Sequence, residues 1–232
     1  MKAILLAAGK GTRISRKIGN IPKSLIDING EPLILKTIRM LKENLVDISV
    51  VLGYKKHLFD EYTYVCKVYY NPFYSLTNSI ASLWFAKDEI DGTEDIIIAN
   101  ADVFWDENVL RELLNSSEDV LMLYDSSRKE EGDYLFKVEG NVLIEHGKEL
   151  EDPSGEYVGV SIIRKKFQKK FRERLESLID NENFSLWWEN VLYSFIGERD
   201  IYVKDISGLF WGEVDYLEDY YRILRYIDKR SE

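Results

Sequence analysis

Cysteine, histidine and proline are scarce in this 232-residue chain, with one, two and four copies respectively. A single cysteine, Cys66, excludes an internal disulfide framework and suits a reducing compartment, so a cytoplasmic protein is expected. The two histidines, His57 and His146, stand in polar stretches that read as exposed. Neither completes a Ser-His-Asp or Cys-His set for nucleophilic catalysis. Long apolar runs are missing too. The opening run Ala3-Ile4-Leu5-Leu6-Ala7 is shorter than a signal-peptide core, and no later stretch approaches the roughly 20 residues of a membrane helix. Positive charge is in the minority: 31 Lys and Arg face 41 Asp and Glu, for a net charge of -10. That balance argues against nucleic acid as a partner, and it requires any site for a phosphorylated ligand to be locally cationic or metal-assisted. Repeats, low-complexity tracts and Pro/Gly/Ser-rich linkers are also absent.

What is present is a hydrophobic content of 45%, with 13% aromatic residues, enough to bury one sizeable core. Strand patterns over 2–7, 47–52, 65–70 and 95–99 alternate with helical spacing over about 32–43 and 78–88. This alternation predicts an α/β fold: a doubly wound, mostly parallel, Rossmann-like sheet covered on both faces. After residue 118 the pattern changes. Strand-like segments over 120–124, 134–139, 141–145 and 157–163, with a hairpin turn around Gly140-Asn141, predict an inserted antiparallel section. Helices over about 165–180, 185–196 and 216–227 and a strand over 200–204 complete the chain. Residues 1–232 read as a single domain, with a core at 1–118 and a second subregion at 119–232.

The first strand runs straight into Ala7-Ala8-Gly9-Lys10-Gly11-Thr12-Arg13, at the carboxyl end of the sheet, where open α/β folds bind ligands. Glycines let backbone N–H groups approach phosphate oxygens, and Arg13 can add a bidentate contact. The spacing is neither G-x-G-x-x-G nor the P-loop pattern, and a tight turn with solvated basic residues is the competing reading. Pro22-Lys23-Ser24-Leu25 follows, ahead of a strand-like 25–28 and a turn at Asn29-Gly30. A lysine held by a preceding proline can reach back over the glycine loop as a point charge for a leaving pyrophosphate. Farther on, Asp102 ends the apolar run through Ala99-Asn100-Ala101, and Asp215 ends Trp211-Gly212-Glu213-Val214. Each suits either a hard cation or a helix N-cap.

Together, LAAGKGTR and PKSL resemble the nucleotidyltransferase family, the sugar-phosphate nucleotidylyltransferase-like enzymes that activate small phosphorylated compounds with a nucleoside triphosphate. The resemblance implies that Leu6, Ala7, Ala8, Gly9, Gly11, Thr12, Arg13, Lys23 and Ala101 bind the nucleotide, with Lys23 and Arg13 catalytic. It also implies that Asp102 and Asp215 hold Mg2+, with Glu213 and Asp106 as weaker candidates. The segment from Asn71-Pro72 to Asn78-Ser79 and Ser82-Leu83 resembles the phosphocholine-type cytidylyltransferase branch. Asn78 and Ser79 would then read a pyrimidine edge or ribose, while Thr77 or Asn78 as a simple helix cap is the compatible alternative. A Glu-Lys-Pro signature typical of the hexose-phosphate branch is missing from Ile144 to Lys148. The layout Gly155-x-Tyr157-x-Gly159 and the run Leu186-Trp187-Trp188-Glu189-Asn190 follow the phosphocholine type. Tyr157, Trp187, Trp188 and Glu189 are thereby acceptor-binding candidates, with core packing the competing reading for at least one tryptophan.

The implied activity is a magnesium-dependent cytidylyltransferase that passes CMP from CTP to a phosphocholine- or phosphoglutamine-type acceptor, with a slight preference for phosphoglutamine. Capsule or surface-polysaccharide decoration is the implied role. A sugar-1-phosphate nucleotidylyltransferase and a non-catalytic nucleotide-sensing relative are the alternatives. Neither a nucleic-acid nor a membrane partner is expected.

Overall fold

Strand β1 (Lys2–Ala7) sends Ala3, Leu5 and Ala7 into one core and Ile4 and Leu6 into another, as the two-residue period of a strand dictates. Burial on both faces marks a central strand. In this computed structural model, which describes residues 1–11, 20–129 and 134–231, β1 pairs in parallel with two neighbours. These are β2 (Asp47–Leu52) and β4 (Ile96–Asn100); β3 (Lys67–Tyr70) extends the parallel set beyond β2. Helix α1 (Leu33–Glu43) crosses between β1 and β2, presenting Ile34, Ile38 and Leu41 to the first core. Its entry is fixed by Asn29 and Gly30, with φ of 59° and 85°, and by Pro32 immediately before the first turn. A single turn, α2 (Asp60–Thr63), precedes β3.

Helix α3 (Ser79–Phe85) lies against the second core, α4 (Glu107–Leu114) against the first, and α5 (Lys165–Asp180) against the second through Phe167, Phe171 and Leu175. The sheet is therefore wound on both faces. The remaining elements are β5 (Val103–Trp105), β6 (Val120–Asp125), β7 (Leu135–Glu139), β8 (Val142–Gly147), β9 (Gly155–Ile163), α6 (Asn190–Tyr193), β10 (Tyr202–Asp205), β11 (Trp211–Glu213) and α7 (Leu217–Ser231). Nine strands form one sheet in the order β3-β2-β1-β4-β9-β6-β10-β8-β7, and β5 with β11 form a separate two-stranded ribbon.

The sheet is mixed rather than mostly parallel. Strand β9 runs antiparallel between β4 and β6 near its middle. Among the described residues, no helix separates β6 from β9, and a parallel return needs a crossover connection; a chain that comes back through the β7–β8 hairpin must run the other way. All nine residues of β9 are buried, as its place between β4 and β6 requires. The pairings β9–β6, β6–β10, β10–β8, β8–β7 and β7–β9 run round in a closed loop, so the later strands curl back on themselves. Strands from both sides of residue 118 are hydrogen-bonded within this one sheet. The strand-like 25–28 is instead a 3-10 turn over Lys23–Leu25 followed by a lone bridge between Asp27 and Pro32. Among the described residues, no helix is long and apolar enough to cross a membrane.

Candidate active site

Two backbone devices bring distant carboxylates together. Asp102 occupies the turn after β4, and β5 leaves that turn to pair antiparallel with β11, setting Glu213 opposite Val103. The Val214 N–H donates to the Asp102 carbonyl at 3.0 Å, which clasps Asp215 alongside. From the other side, the 3-10 turn that begins after Pro22 directs Lys23 into these acids. Its Nζ is ion-paired with Asp215 and lies 3.4 Å from Asp102 Oδ2 and 4.0 Å from Glu213 Oε1. The aliphatic stem of Lys23 is pressed by the glycine loop. Gly11 has φ of +57°, and a Cβ there would stand 2.2 Å from Lys23 Cγ. Gly11 is thus required twice, for its backbone conformation and for its missing side chain.

A cleft of about 340 Å³ opens beside this cluster at the carboxyl ends of β1 and β4, bounded by Gly9, Gly11, Lys23, Asp102, Lys148 and Trp187. A second recess of about 320 Å³ shares Gly9, Asn78, Asp102 and Trp187 with it and adds Lys10, whose ammonium lies 5.7 Å from the Tyr74 ring centre. Asn71, fully buried, organises the wall of this recess: its amide donates to Thr77 Oγ1 at 3.2 Å and Ser82 Oγ at 3.0 Å, and its oxygen accepts from Phe73 N–H at 2.8 Å. At the start of α3, Asn78 Oδ1 accepts from Ser79 N–H at 2.8 Å while Asn78 Nδ2 donates to the Ser185 carbonyl at 3.3 Å. Ser79 Oγ accepts from the Trp188 N–H at 2.9 Å.

In the recess, Asn100 ties the end of β4 to the segment that leads into α6. Its oxygen accepts from Trp188 Nε1 at 3.0 Å and its amide donates to Glu189 Oε1 at 3.2 Å. Glu189 is buried, and among the described residues its Oε2 has no hydrogen-bond partner. Burial, with a smaller push from the Asp102 charge, raises the Glu189 carboxyl to about 7, although the Asn100 amide acts in the opposite direction. Near neutral pH the Glu189 carboxyl is therefore divided between its protonated and ionised forms.

The glycine loop, the lysine and the acids gather at the carboxyl ends of the central strands of an α/β sheet, and residues 3–182 match the family described as the MobA-like NTP transferase domain. The chain belongs to this family. The choline-phosphate cytidylyltransferase of Streptococcus pneumoniae is 30% identical over 96% of both chains. The CTP:phosphoglutamine cytidylyltransferase of Campylobacter jejuni is 26% identical over 94% of this chain and 97% of its own. Among solved structures, the CTP:phosphocholine cytidylyltransferase of Streptococcus pneumoniae superposes with a TM-score of 0.80 at 26% identity, covering 97% of this chain and 98% of that one. The protein is a nucleotidyltransferase with the mixed-sheet, Rossmann-like fold of these enzymes.

Of the residues expected at the transferase site, Leu6, Ala7, Gly9, Gly11, Lys23, Asn78, Trp187, Asp102 and Asp215 line the main cleft, and Ala8 and Ser79 line the adjoining recess. Ala101 is buried, its N–H donating to the Leu6 carbonyl at 3.1 Å. Thr12 and Arg13 lie outside the described residues. Three expectations are corrected. Tyr157 and Trp188 belong to the second core, not to the cleft wall; the Tyr157 hydroxyl is 2.8 Å from Ser161 Oγ and the Trp188 indole is spent on Asn100. Asp106 is the N-cap of α4, accepting from Asn108 and Val109 N–H at 2.9 and 3.4 Å. His146 is not exposed: its ring lies 3.8 Å from that of Tyr193 in near-parallel stacking, and burial lowers its pKa. The cleft also includes Lys148, and the adjoining recess Tyr74 and Asn100, none of which periodicity singles out; they come from three separate loops and strand ends.

Proposed function

We propose that this transferase moves CMP from CTP to a small phosphorylated zwitterion and releases pyrophosphate. The observation that carries the reading is Lys23 held among Asp102, Glu213 and Asp215 under the glycine loop. A lysine so placed is a cation parked in an acidic nest beside an anion-sized cleft. When a triphosphate enters, Lys23 can exchange its carboxylates for phosphate oxygens with little movement of its stem, which Gly11 holds in place. Gly9 has open space where a Cβ would stand, so phosphate can come close to the loop backbone there. Arg13 would add a bidentate contact.

The acids suit magnesium. Among the described residues, no three His, Cys, Asp or Glu side chains are grouped as a metal site, and magnesium asks for fewer: one or two carboxylates, with water and phosphate filling the remaining positions. Asp102 and Asp215 would hold it, and the ion would supply charge neutralisation and polarisation of the α-phosphorus. The acceptor phosphate has a second pKa of about 6 and is largely dianionic at neutral pH, so it attacks the α-phosphorus in line without a general base. The new P–O bond forms as the bond to the β-phosphate breaks, and Lys23 takes up charge on the departing pyrophosphate. Positioning and electrostatics supply the rate.

The far end of the cleft favours a zwitterion. Trp187 offers an aromatic face and Lys148 a cation, a pair that suits the carboxylate and amine of an amino-acid phosphate better than a lone quaternary ammonium. Its relatives act on choline phosphate and phosphoglutamine, and phosphoglutamine is the preferred acceptor on this chemistry. A capsule-decoration role would follow from such a product. The test is a pyrophosphate-release screen of the common NTPs against phosphocholine, phosphoglutamine, phosphoethanolamine and hexose-1-phosphates. Turnover with CTP and phosphoglutamine or phosphocholine is expected. Turnover confined to a hexose-1-phosphate would overturn the reading.

A further inference from the structure

A second cavity, of about 520 Å³, shares no lining residue with the cleft and carries two arginines, Arg128 and Arg222, together with Ser127, Trp211 and Phe210. Arg128, just after β6, lies with its guanidinium 4.5 Å from the Trp211 ring centre and its Nε 3.0 Å from Glu156 Oε2, which leaves its Nη1 buried and, among the described residues, without a hydrogen bond. Arg222, on α7, rests its Nη2 against β11: a Cβ at Gly212 would stand 2.9 Å from that atom, so only glycine admits this pose. That Nη2 is likewise buried and unpartnered. Among the described residues, Arg222 has no carboxylate within ion-pair distance; its guanidinium lies 5.5 Å from the Phe210 ring centre.

The neighbouring acids are already committed. Asp125 Oδ1 accepts from Ser127 N–H and Oγ, at 2.9 and 2.6 Å, and its Oδ2 accepts from Trp211 Nε1 at 2.9 Å. Asp219 Oδ2 accepts from the N–H groups of Asp215 and Tyr216, at 3.2 and 2.9 Å. Glu156 serves Arg128. Burial, and after it the like charge of Arg128, lower the Arg222 pKa against the opposite pull of Asp219, Glu156 and Asp125. Two guanidinium edges that meet in one cavity with donors to spare fit the geometry of a tetrahedral oxyanion, which accepts bidentate contacts from more than one side.

We infer that Arg128 and Arg222 form a binding site for a phosphate-class oxyanion, free or as a monoester, separate from the nucleotide cleft. The anion would supply the hydrogen bonds that both Nη atoms lack. The test is calorimetric titration of inorganic phosphate, and in parallel of glycerol phosphate, at constant ionic strength. The proteins are the intact wild type, Arg222→Gln and Lys23→Ala. Arg222→Gln is expected to weaken phosphate binding at least tenfold, while Lys23→Ala, altered only in the cleft, retains it. The ester arm tells free phosphate from an esterified ligand by which binds more tightly. Equal binding by wild type and Arg222→Gln, with loss in Lys23→Ala, would assign the phosphate to the cleft and overturn the proposal, as would an absence of millimolar binding by the wild type. Should Arg222→Gln fail to fold, a wild-type crystal soaked in tungstate decides the matter: anomalous density between the two guanidinium groups supports the site, and density confined to the cleft refutes it.

Discussion

Lys23 shows how much a single side chain depends on its surroundings. On sequence alone it is a lysine after a proline, and its removal would be expected to leave stability untouched. In the fold it is largely buried, with three carboxylates around it. Lys23→Ala therefore has two consequences. Turnover should fall by about 100-fold or more, the typical cost of removing one preorganised charge from a transition state. The metal-free protein should also lose about 1–2 kcal/mol of stability, because Asp102, Glu213 and Asp215 are left facing one another. Thermal melts with EDTA and with magnesium check the second point: magnesium is expected to recover part of the loss. Near-normal turnover, or a melting temperature indifferent to both the mutation and the metal, would contradict the role given to Lys23. Gly11 was legible as a loop glycine; that its absent side chain makes room for the Lys23 stem was not, since no sequence pattern records which two segments touch.

At the scale of elements, the segments with a clean period read directly. The strands at 2–7 and 47–52 and the helix at 165–180 fall where their apolar spacing predicts. Departures occur where a tertiary partner overrides local preference. The stretch 185–196 has helical spacing, yet its first part is tied to α3. The carbonyls of Phe184 and Leu186 accept from the N–H groups of Asn78 and Ile80 at 2.8 and 3.3 Å, and only Asn190–Tyr193 remains α-helical. Those carbonyls fill the role of a helix cap from outside the helix. Helix α4 was missed although its signal was present: an aspartate at 106 followed by Val109, Leu110 and Leu113. The family resemblance offers the same aspartate as a weaker metal candidate. Tyr226 donates to its Oδ2 at 2.8 Å, which leaves it a structural hub between α4 and α7. Asp106→Ala should cost about 1–2 kcal/mol through the lost cap, which for a chain of this size lowers the melting temperature by roughly 2–8 °C. Its magnesium titration and turnover should match the wild type; a shifted metal dependence would return Asp106 to the site. The β5–β11 ribbon was half-legible, as a strand-like piece before Asp215. Its pairing with the turn after Asp102 was not, because three-residue strands carry too little pattern to declare a partner.

At the scale of the whole molecule, an acidic protein has gathered cations at its ligand surfaces. With a net charge of -10, the average field repels a nucleotide, yet Lys10, Lys23 and Lys148 line the cleft and its adjoining recess. The fold class was legible because strands and helices alternate through the first half. The mixed order of the sheet was not, since a fully buried strand such as β9 reads the same whichever way it runs. The central claim is that a triphosphate lies between Gly11 and Lys23 while Asp102 and Asp215 turn from lysine to metal. The most direct measurement is a crystal structure of the protein with CTP, magnesium and no acceptor. The account predicts phosphate oxygens within hydrogen-bond distance of Lys23 Nζ and the Gly11 loop, with the ion on Asp102 and Asp215. A nucleotide bound elsewhere, or one bound here with Lys23 still paired to Asp215, would contradict it.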